Sequence, residues 1–426
     1  MKKQAGTIIG KSVKLATSFR PHGGHALPGL VVQTIFPSYV DDMLRQLPKG
    51  VVLVTGTNGK TTTTKILVHL LEANGVRVIT NSTGSNMVRG IASSLIRHSS
   101  LGSKLPFDIA VFEVDEASAK HLVAEINPRW VLALNVSRDQ LDRFGEVDAI
   151  AKHIGYALSA ATDGIVTNAD DPHLSKISRE VSANKKIKLD YFGVAPDLAK
   201  YFPSDYDLAA IGGTNDQKTI AKTKLEVGLS AFDGQQATYK IGSNQYKAKM
   251  KLTGQHNFQN GAAALALAKR LLPDVEPKTL VDELSRVTIA FGRGESYKLK
   301  NGAVVELVLV KNPASFRQAL ASYSQNSDSL MIAINDNVAD GRDVSWLWDV
   351  DFSSLQGKKT IITSGTRSAD MALRLSYDNI TTSDIEPSLT EGLSKLSATS
   401  GKKVILATYT AMLNQYELLN RIAEKI

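Results

Sequence analysis

The densest chemistry in the sequence lies at Gly56-Thr57-Asn58-Gly59-Lys60-Thr61-Thr62. The apolar run Val51-Val52-Leu53-Val54 precedes it, and an apolar-periodic stretch from about Thr61 to Ala73 follows. A strand, a glycine turn and a helix in that order bring backbone N–H groups and the positive end of a helix dipole to one point, as phosphate oxygens require. Gly56 and Gly59 let the backbone approach phosphate closely. Lys60 would neutralise β- and γ-phosphate charge, and Thr61 would offer its hydroxyl to Mg²⁺. The expected ligands are ATP and Mg²⁺. The general loop pattern is G-x₄-G-K-[ST]. Here its first glycine would fall on Val54, so the sequence carries the shorter G-x-x-G-K-[ST] form.

Other polar residues stand where such a site needs them. Glu113 ends the apolar run from Ile109 and is a second candidate Mg²⁺ ligand beside Thr61; the competing reading is a solvated acidic loop with Asp115 and Glu116. Asn257 and Asn260 are three apart, hence on one helical face. Each carries a donor and an acceptor, which suits an adenine edge, although Asn257 could instead cap the helix. Arg293, in Phe-Gly-Arg-Gly-Glu, stands at an expected hinge, where a guanidinium could stabilise the transferring phosphoryl charge or form an interdomain salt bridge. Asp336, Asn337, Asp340, Arg342 and Asp343 crowd one loop after an expected strand, the usual place for α/β ligand sites. A carboxylate there could orient an incoming nucleophile and take its proton, with Asp343 the first choice and Asp336 the second. Trp346 and Trp348 read as packing.

The elements that must position these groups alternate. Strands are expected at 51–54, 76–80, 109–114 and 130–135, and again at 304–310, 330–335, 359–363 and 404–408, with helical patterns between them. That alternation predicts α/β domains with mostly parallel sheets. The expected division is a short lead-in over 1–45, a central domain over 46–290 and a C-terminal α/β domain over 291–426. The stretch 165–250 reads as strands and loops, with a turn at Asp170-Asp171-Pro172. The chain has 426 residues, a formal charge of +8 and no cysteine. Thiolate nucleophiles and cysteine-bound zinc are therefore excluded. No basic run interleaved with aromatics suggests nucleic acid. No signal-like or membrane-spanning apolar run is present, so a cytoplasmic location is expected. The positive charge is open to two readings, solubility or attraction to an anionic partner.

The loop Gly-Thr-Asn-Gly-Lys-Thr-Thr resembles that of the Mur ligase superfamily, and the resemblance covers the chain from about residue 20. It is sharpest to the MurT branch of that family. The carrying segments are Thr80–Asn86 with Arg89-Gly90-Ile91, Glu113–Ala117, Arg138–Gly145, Val310–Ala314 and the long run Asn335–Asp349. The resemblance implies a central P-loop ATPase domain and a C-terminal Rossmann-like domain closing over ATP. It implies that ATP phosphorylates the α-carboxylate of D-glutamate in the lipid II stem, and that ammonia then displaces phosphate. An amino-acid ligase of the same superfamily is the alternative. The resemblance gives Glu113 a metal-ligand place and the two asparagines an adenine role. It implies a GatD-type glutaminase partner, since a glutaminase of this class needs a cysteine that this chain lacks. Lipid II places the reaction at the inner membrane face. Three positions depart from the pattern. The four-cysteine zinc ribbon of many relatives is missing, with the irregular stretch near 190–230 its expected place, so no zinc is expected. Gln140 stands where siblings have a metal-binding His. Lys152 fits poorly the spacing of a carbamylated lysine, and reads better as a surface residue.

Overall fold

A computed structural model describes residues 2–17, 27–81, 88–138, 147–202, 223–252, 254–288, 293–324, 327–358 and 360–426. Contacts group the chain into two units. The first comprises Met1–Val136, Asp148–Met250 and Asn257–Val287; the second comprises Ser137–Val147, Lys251–His256 and Thr288–Ile426.

The first unit is organised by β1 (Val51–Thr55), whose five residues are all buried. A strand buried on both faces reads as a continuous apolar run, and full burial of each valine stabilises by about 1.5–3 kcal/mol. Around it lie β2 (Val78–Thr80), β3 (Ile109–Glu113), β4 (Trp130–Ala133), β5 (Gly164–Asn168), β6 (Lys188–Val194), β7 (Val227–Asp233), β8 (Gln236–Ile241) and β9 (Asn244–Lys249), in the sheet order β2-β3-β1-β4-β5-β6-β7-β8-β9. Strands β1 to β7 pair in parallel. The pairs β7–β8 and β8–β9 are antiparallel. Their two-residue turns carry Gly234 at φ +53° and Gly242 at φ +62°, values that glycine adopts without strain.

Three helices open the first unit: α1 (Lys2–Thr17), α2 (Leu27–Ile35) and α3 (Tyr39–Leu44). Next come α4 (Lys60–Ala73), α5 (Val88–His98), α6 (Glu116–Ile126), α7 (Val147–Ala160), α8 (Pro172–Lys185), α9 (Gln255–Leu271) and α10 (Pro277–Glu283). Helix α8 corrects the reading of 165–250 as strands and loops. Asp171 caps it by accepting from Leu174 N at 3.0 Å, with Pro172 in the first turn. The Asp-Pro signal is therefore a helix start. The stretch expected to hold or replace a zinc ribbon is described only at its ends, by β6, a short 3₁₀ turn over Pro196–Tyr201, and β7.

The second unit has β10 (Arg293–Leu299), β11 (Val304–Leu309), β12 (Ser329–Ala333), β13 (Thr360–Ser364), β14 (Asp384–Glu386), β15 (Lys403–Ala407) and β16 (Ala423–Lys425), ordered β14-β13-β12-β15-β11-β10-β16. From β14 to β11 the pairs are parallel; β10 pairs antiparallel with β11 and β16. Helices α11 (Pro313–Ala319), α12 (Ser368–Tyr377), α13 (Leu389–Ala398) and α14 (Tyr409–Ile422) flank it. The two faces of the sheet feed separate cores. Leu330, Ile332, Val404 and Leu406 pack with Phe316 and Phe352, whereas Met331, Ala333, Ile405 and Ala407 pack with Leu393 and Met412. This is the period-2 alternation of a strand covered by helices on both sides.

Candidate functional site

Strand β1 lies between β3 and β4, and the loop Gly56–Gly59 leaves its carboxyl end. Gly56 has φ +129° and Gly59 φ +85°, both in the region that disfavours side chains. A Cβ on Gly56 would lie 2.9 Å from Asn135 N, and one on Gly59 only 2.4 Å from Asn260 Oδ1. The glycines are thus required by conformation and by close neighbours at once. Asn135, just beyond β4, fixes the loop between them. Its backbone carbonyl accepts from Thr57 N at 3.0 Å. Its side chain accepts from Asn58 N at 2.8 Å and donates back to Asn58 O at 3.0 Å. Asn135 is itself seated by neighbours: Val136 N donates to the buried Asp171 at 2.7 Å, and Asn168 donates to Leu134 O at 3.1 Å. Burial raises the Asp171 pKa, against the pull of its backbone donors.

Lys60 opens α4 and folds back over the loop. Its ammonium donates to Gly56 O at 2.6 Å, Thr57 O at 3.3 Å and Glu116 Oε2 at 3.2 Å. The pair is largely dry, with side chains 12% and 4% exposed. Thr61 is exposed, whereas Thr62 is buried on the core side of α4 with Thr63 and Thr64. Glu113 ends β3 directly beside Val54 of β1. Asn81 holds its backbone, donating to Glu113 O at 2.8 Å and accepting from Glu113 N at 3.0 Å. Two asparagines, one after β2 and one after β4, therefore clamp backbone on either side of the loop.

Asn257 and Asn260 are both buried on α9, and Asn260 donates to Asn257 Oδ1 at 3.2 Å. They share a face as their spacing requires, and Asn260 lies against the phosphate loop at Gly59. Lys152 instead lines a groove between α7 and α8 with Tyr156, His173 and Lys176. Thr61 and Glu113 supply a hydroxyl and a carboxylate, the hard oxygen donors suited to Mg²⁺. Among the described residues no cluster of three acidic or histidine side chains could hold a metal alone. An ion here would share its shell with phosphate and water, the usual arrangement for Mg²⁺. Gln140 lies outside the described residues.

A second polar cluster is built within the second unit, where the chain leaves β12, β13 and β15 at their carboxyl ends. Asp336 accepts from Thr366 Oγ1 at 2.8 Å and pairs with Arg367 at 2.8 Å. The Thr366 hydrogen bond, aided by the Arg367 guanidinium, holds its carboxyl below the usual range. Asp340 is buried and takes Thr410 N at 2.7 Å and the Thr410 hydroxyl at 2.6 Å. Asn335 and Asn337 both donate to the same hydroxyl, at 3.0 and 2.8 Å. Asp343 accepts from Ser345 N at 2.8 Å and stays half-buried. Asp340 is thus a strut of the loop, and Asp336 is committed to an ion pair. Arg293 begins β10, opposite Val308; its side chain lies outside the described residues. Trp346 is buried against Phe316, but Trp348 is half exposed, edge-on to Tyr377 at 5.0 Å. Thr366, Arg367 and Thr410 were not singled out by sequence, and Asn135 and Asn81 were given no role there, because each acts through a neighbour distant in the chain.

Two family models match the chain: the Mur ligase middle domain over residues 54–268, and the MurT ligase C-terminal domain over 309–412. It is 31% identical over 427 residues to the lipid II isoglutaminyl synthase (glutamine-hydrolyzing) subunit MurT of Staphylococcus aureus, covering 94% of each chain. The corresponding subunit of Streptococcus pneumoniae is 31% identical over 461 residues, with 98% and 97% covered. The fold is shared with the MurF ligase of Thermotoga maritima, solved with ADP, at a TM-score of 0.67 and 18% identity over 92% of this chain and 84% of that one. Matched along nearly its whole length and in both domain models, the chain belongs to the MurT family of Mur ligases.

Proposed function

We propose that this chain is the ATP-consuming subunit of a glutamine-dependent amidotransferase that converts the α-carboxylate of D-glutamate in the lipid II stem to the amide. The observation that carries the reading is the Lys60 loop at the head of the central sheet, in a chain similar over nearly its full length to glutamine-hydrolysing synthase subunits. The missing nucleophile supports it as well. With no cysteine, the chain cannot release ammonia from glutamine by the thiolate route, so a GatD-type partner would supply it.

The loop N–H groups and Lys60 hold the phosphates of ATP. Thr61 and Glu113 are the residues that would hold Mg²⁺, which would neutralise phosphate charge. Asn257 and Asn260 are the groups proposed for the adenine end, with Asn260 also bracing Gly59. A carboxylate oxygen of the substrate attacks the γ-phosphorus. The bond to the β-phosphate oxygen breaks, and ADP leaves with its electron pair. Arg293 is the group proposed to balance the charge in transfer. The ammonia nitrogen then attacks the acyl carbon, and the C–O bond to phosphate breaks. Asp343 takes the proton that nitrogen sheds. Asp336, tied to Arg367, is better suited to orienting the amine than to accepting its proton.

The test is reconstitution of the chain with a GatD-type subunit, lipid II, ATP, Mg²⁺ and glutamine, followed by mass spectrometry of the stem. Amidated lipid II with matching ADP release is expected. Asp343→Asn should lower turnover while ATP binding is kept. Absence of amidation while the partner hydrolyses glutamine and this chain binds ATP would overturn the proposal. ADP release driven by an amino acid without the partner would instead mark an amino-acid ligase.

A further inference from the structure

The N-terminal helices are built inside out. Helix α1 docks on the first unit through small residues. A Cβ on Gly6 would lie 2.8 Å from the Tyr39 ring, and one on Gly10 only 2.7 Å from Ile96. Between them, Thr7 shares a hydrogen bond with Tyr39 at 2.8 Å and accepts another from Ser103 at 2.8 Å. Its large aliphatics point the other way: Ile8 is 51% and Leu15 66% exposed. They are seven residues apart, hence on one face, with Lys11 between them. Helix α2 repeats the pattern. Gly29 and Val32 are buried, whereas Leu27, Leu30 and Ile35 are exposed. Five of the fifteen exposed large hydrophobics among the described residues thus fall in the first 35 positions, too local a concentration for scattered surface residues.

The charge on this segment has one sign. Residues 1–40 contain five Lys or Arg and no Asp or Glu, against a net charge of +8 for the whole chain. Lys2, Lys3, Lys11 and Lys14 make no ion pair among the described residues. Outward aliphatics flanked by unneutralised lysines match a bilayer surface, where acyl chains take the apolar groups and anionic headgroups take the cations. Lysine is depleted from protein–protein interfaces, so four lysines beside the outward aliphatics favour a bilayer surface over a protein partner. No described helix is long and apolar enough to cross a membrane, so the contact would be with the surface.

We propose that the outer face of α1 and α2 is a membrane-docking surface that seats the chain on an anionic lipid bilayer. The proposal draws on the proposed function only for the reason such docking would be useful, namely a lipid-linked substrate. Its test contains no substrate and so can fail independently. The full-length chain is sedimented with vesicles of phosphatidylcholine alone and with vesicles containing phosphatidylglycerol. Three variants are compared: Lys11→Gln/Lys14→Gln, Ile8→Ser/Leu15→Ser, and the fourfold combination. Circular dichroism melting serves as the folding control.

The expected result is binding to anionic vesicles that weakens with salt. Each lysine near such a surface is worth about fivefold in partition, so the double Lys variant should bind about 25-fold more weakly. The Ile8/Leu15 variant should lose at least about tenfold, and the fourfold variant should not sediment above background. Melting temperatures should stay close to wild type, because Ile8, Lys14 and Leu15 are exposed and Lys11 is only half-buried. Failure of the wild type to bind anionic vesicles would overturn the proposal, as would equal binding by the fourfold variant. A wild-type dimer in solution that Ile8→Ser/Leu15→Ser dissolves would assign the face to a second copy of the chain instead.

Discussion

Replacing Asn135 tests whether the loop is preorganised by its neighbour rather than by glycine alone. The carboxamide makes two hydrogen bonds to Asn58, at 2.8 and 3.0 Å, one in each direction. A typical intramolecular hydrogen bond contributes about 0.5–1.5 kcal/mol, so Asn135→Ala should cost about 1–3 kcal/mol of loop order. If that order is needed to present the N–H groups to phosphate, ATP affinity falls by about 5- to 150-fold. The isosteric Asn135→Asp is more discriminating. It keeps the acceptor toward Asn58 N but sets a second acceptor against Asn58 O, turning an attraction into a repulsion. Its ATP affinity should therefore be no better than that of the alanine variant despite the conserved shape. Calorimetric titration with ATP and Mg²⁺ measures both, with thermal melting to separate loop effects from global unfolding. Wild-type ATP affinity in Asn135→Asp would refute the clamp.

Gly59→Ala forces a side chain into φ +85° and toward Asn260 Oδ1, so it should cost about 1–3 kcal/mol and sharply weaken nucleotide binding; equilibrium denaturation and titration check the two effects. Lys60→Ala should abolish turnover and also destabilise the chain by about 3 kcal/mol, because it strips the cation from the buried Glu116. Lys60→Met with Glu116→Gln should recover much of the stability in urea melts without restoring activity. The Asp336 carboxyl titrates below its ordinary value, so its contribution to stability is complete above about pH 4 and lost as pH falls through the folded-state value. Arg367→Gln should raise the Asp336 pKa toward the ordinary value, which carboxylate NMR titration would detect.

The loop after β1, strands β1 to β4 and strands β11, β12, β13 and β15 were legible because each is written in one continuous stretch. The run Val51–Val54 and the glycine spacing after it need no distant partner to be read. The opening helices were not legible. Gly6 and Gly10 oppose helix formation by about 1 kcal/mol each relative to Ala, and only contact with Tyr39 and Ile96 explains them. Helix α8 was missed for another reason. Its sequence is mostly polar, and Asp171-Pro172 signals a turn as readily as a cap until the Leu174 N–H is seen to point at the carboxylate. The carboxylates of 336–343 look equivalent in sequence. Their separation into an ion-paired Asp336, a buried Asp340 and a half-buried Asp343 depends on Arg367 and Thr410, which arrive from the ends of other strands. The contact of Asn260 with Gly59 joins positions two hundred residues apart and leaves no local trace.

The folded-back pose of Lys60 bears on the far end of the catalytic cycle. If Lys60 holds ATP phosphate as proposed, its bonds to Gly56 O, Thr57 O and Glu116 give the ammonium somewhere to go when nucleotide departs. Arrival of phosphate is then an exchange of partners rather than a new pairing, and departure of ADP strands no bare charge in a dry pocket. Part of the attraction to phosphate would then be offset by the bonds given up, lowering both the intrinsic affinity and the barrier to clearing product. On that role the loop would be a latch that closes on itself when nucleotide leaves.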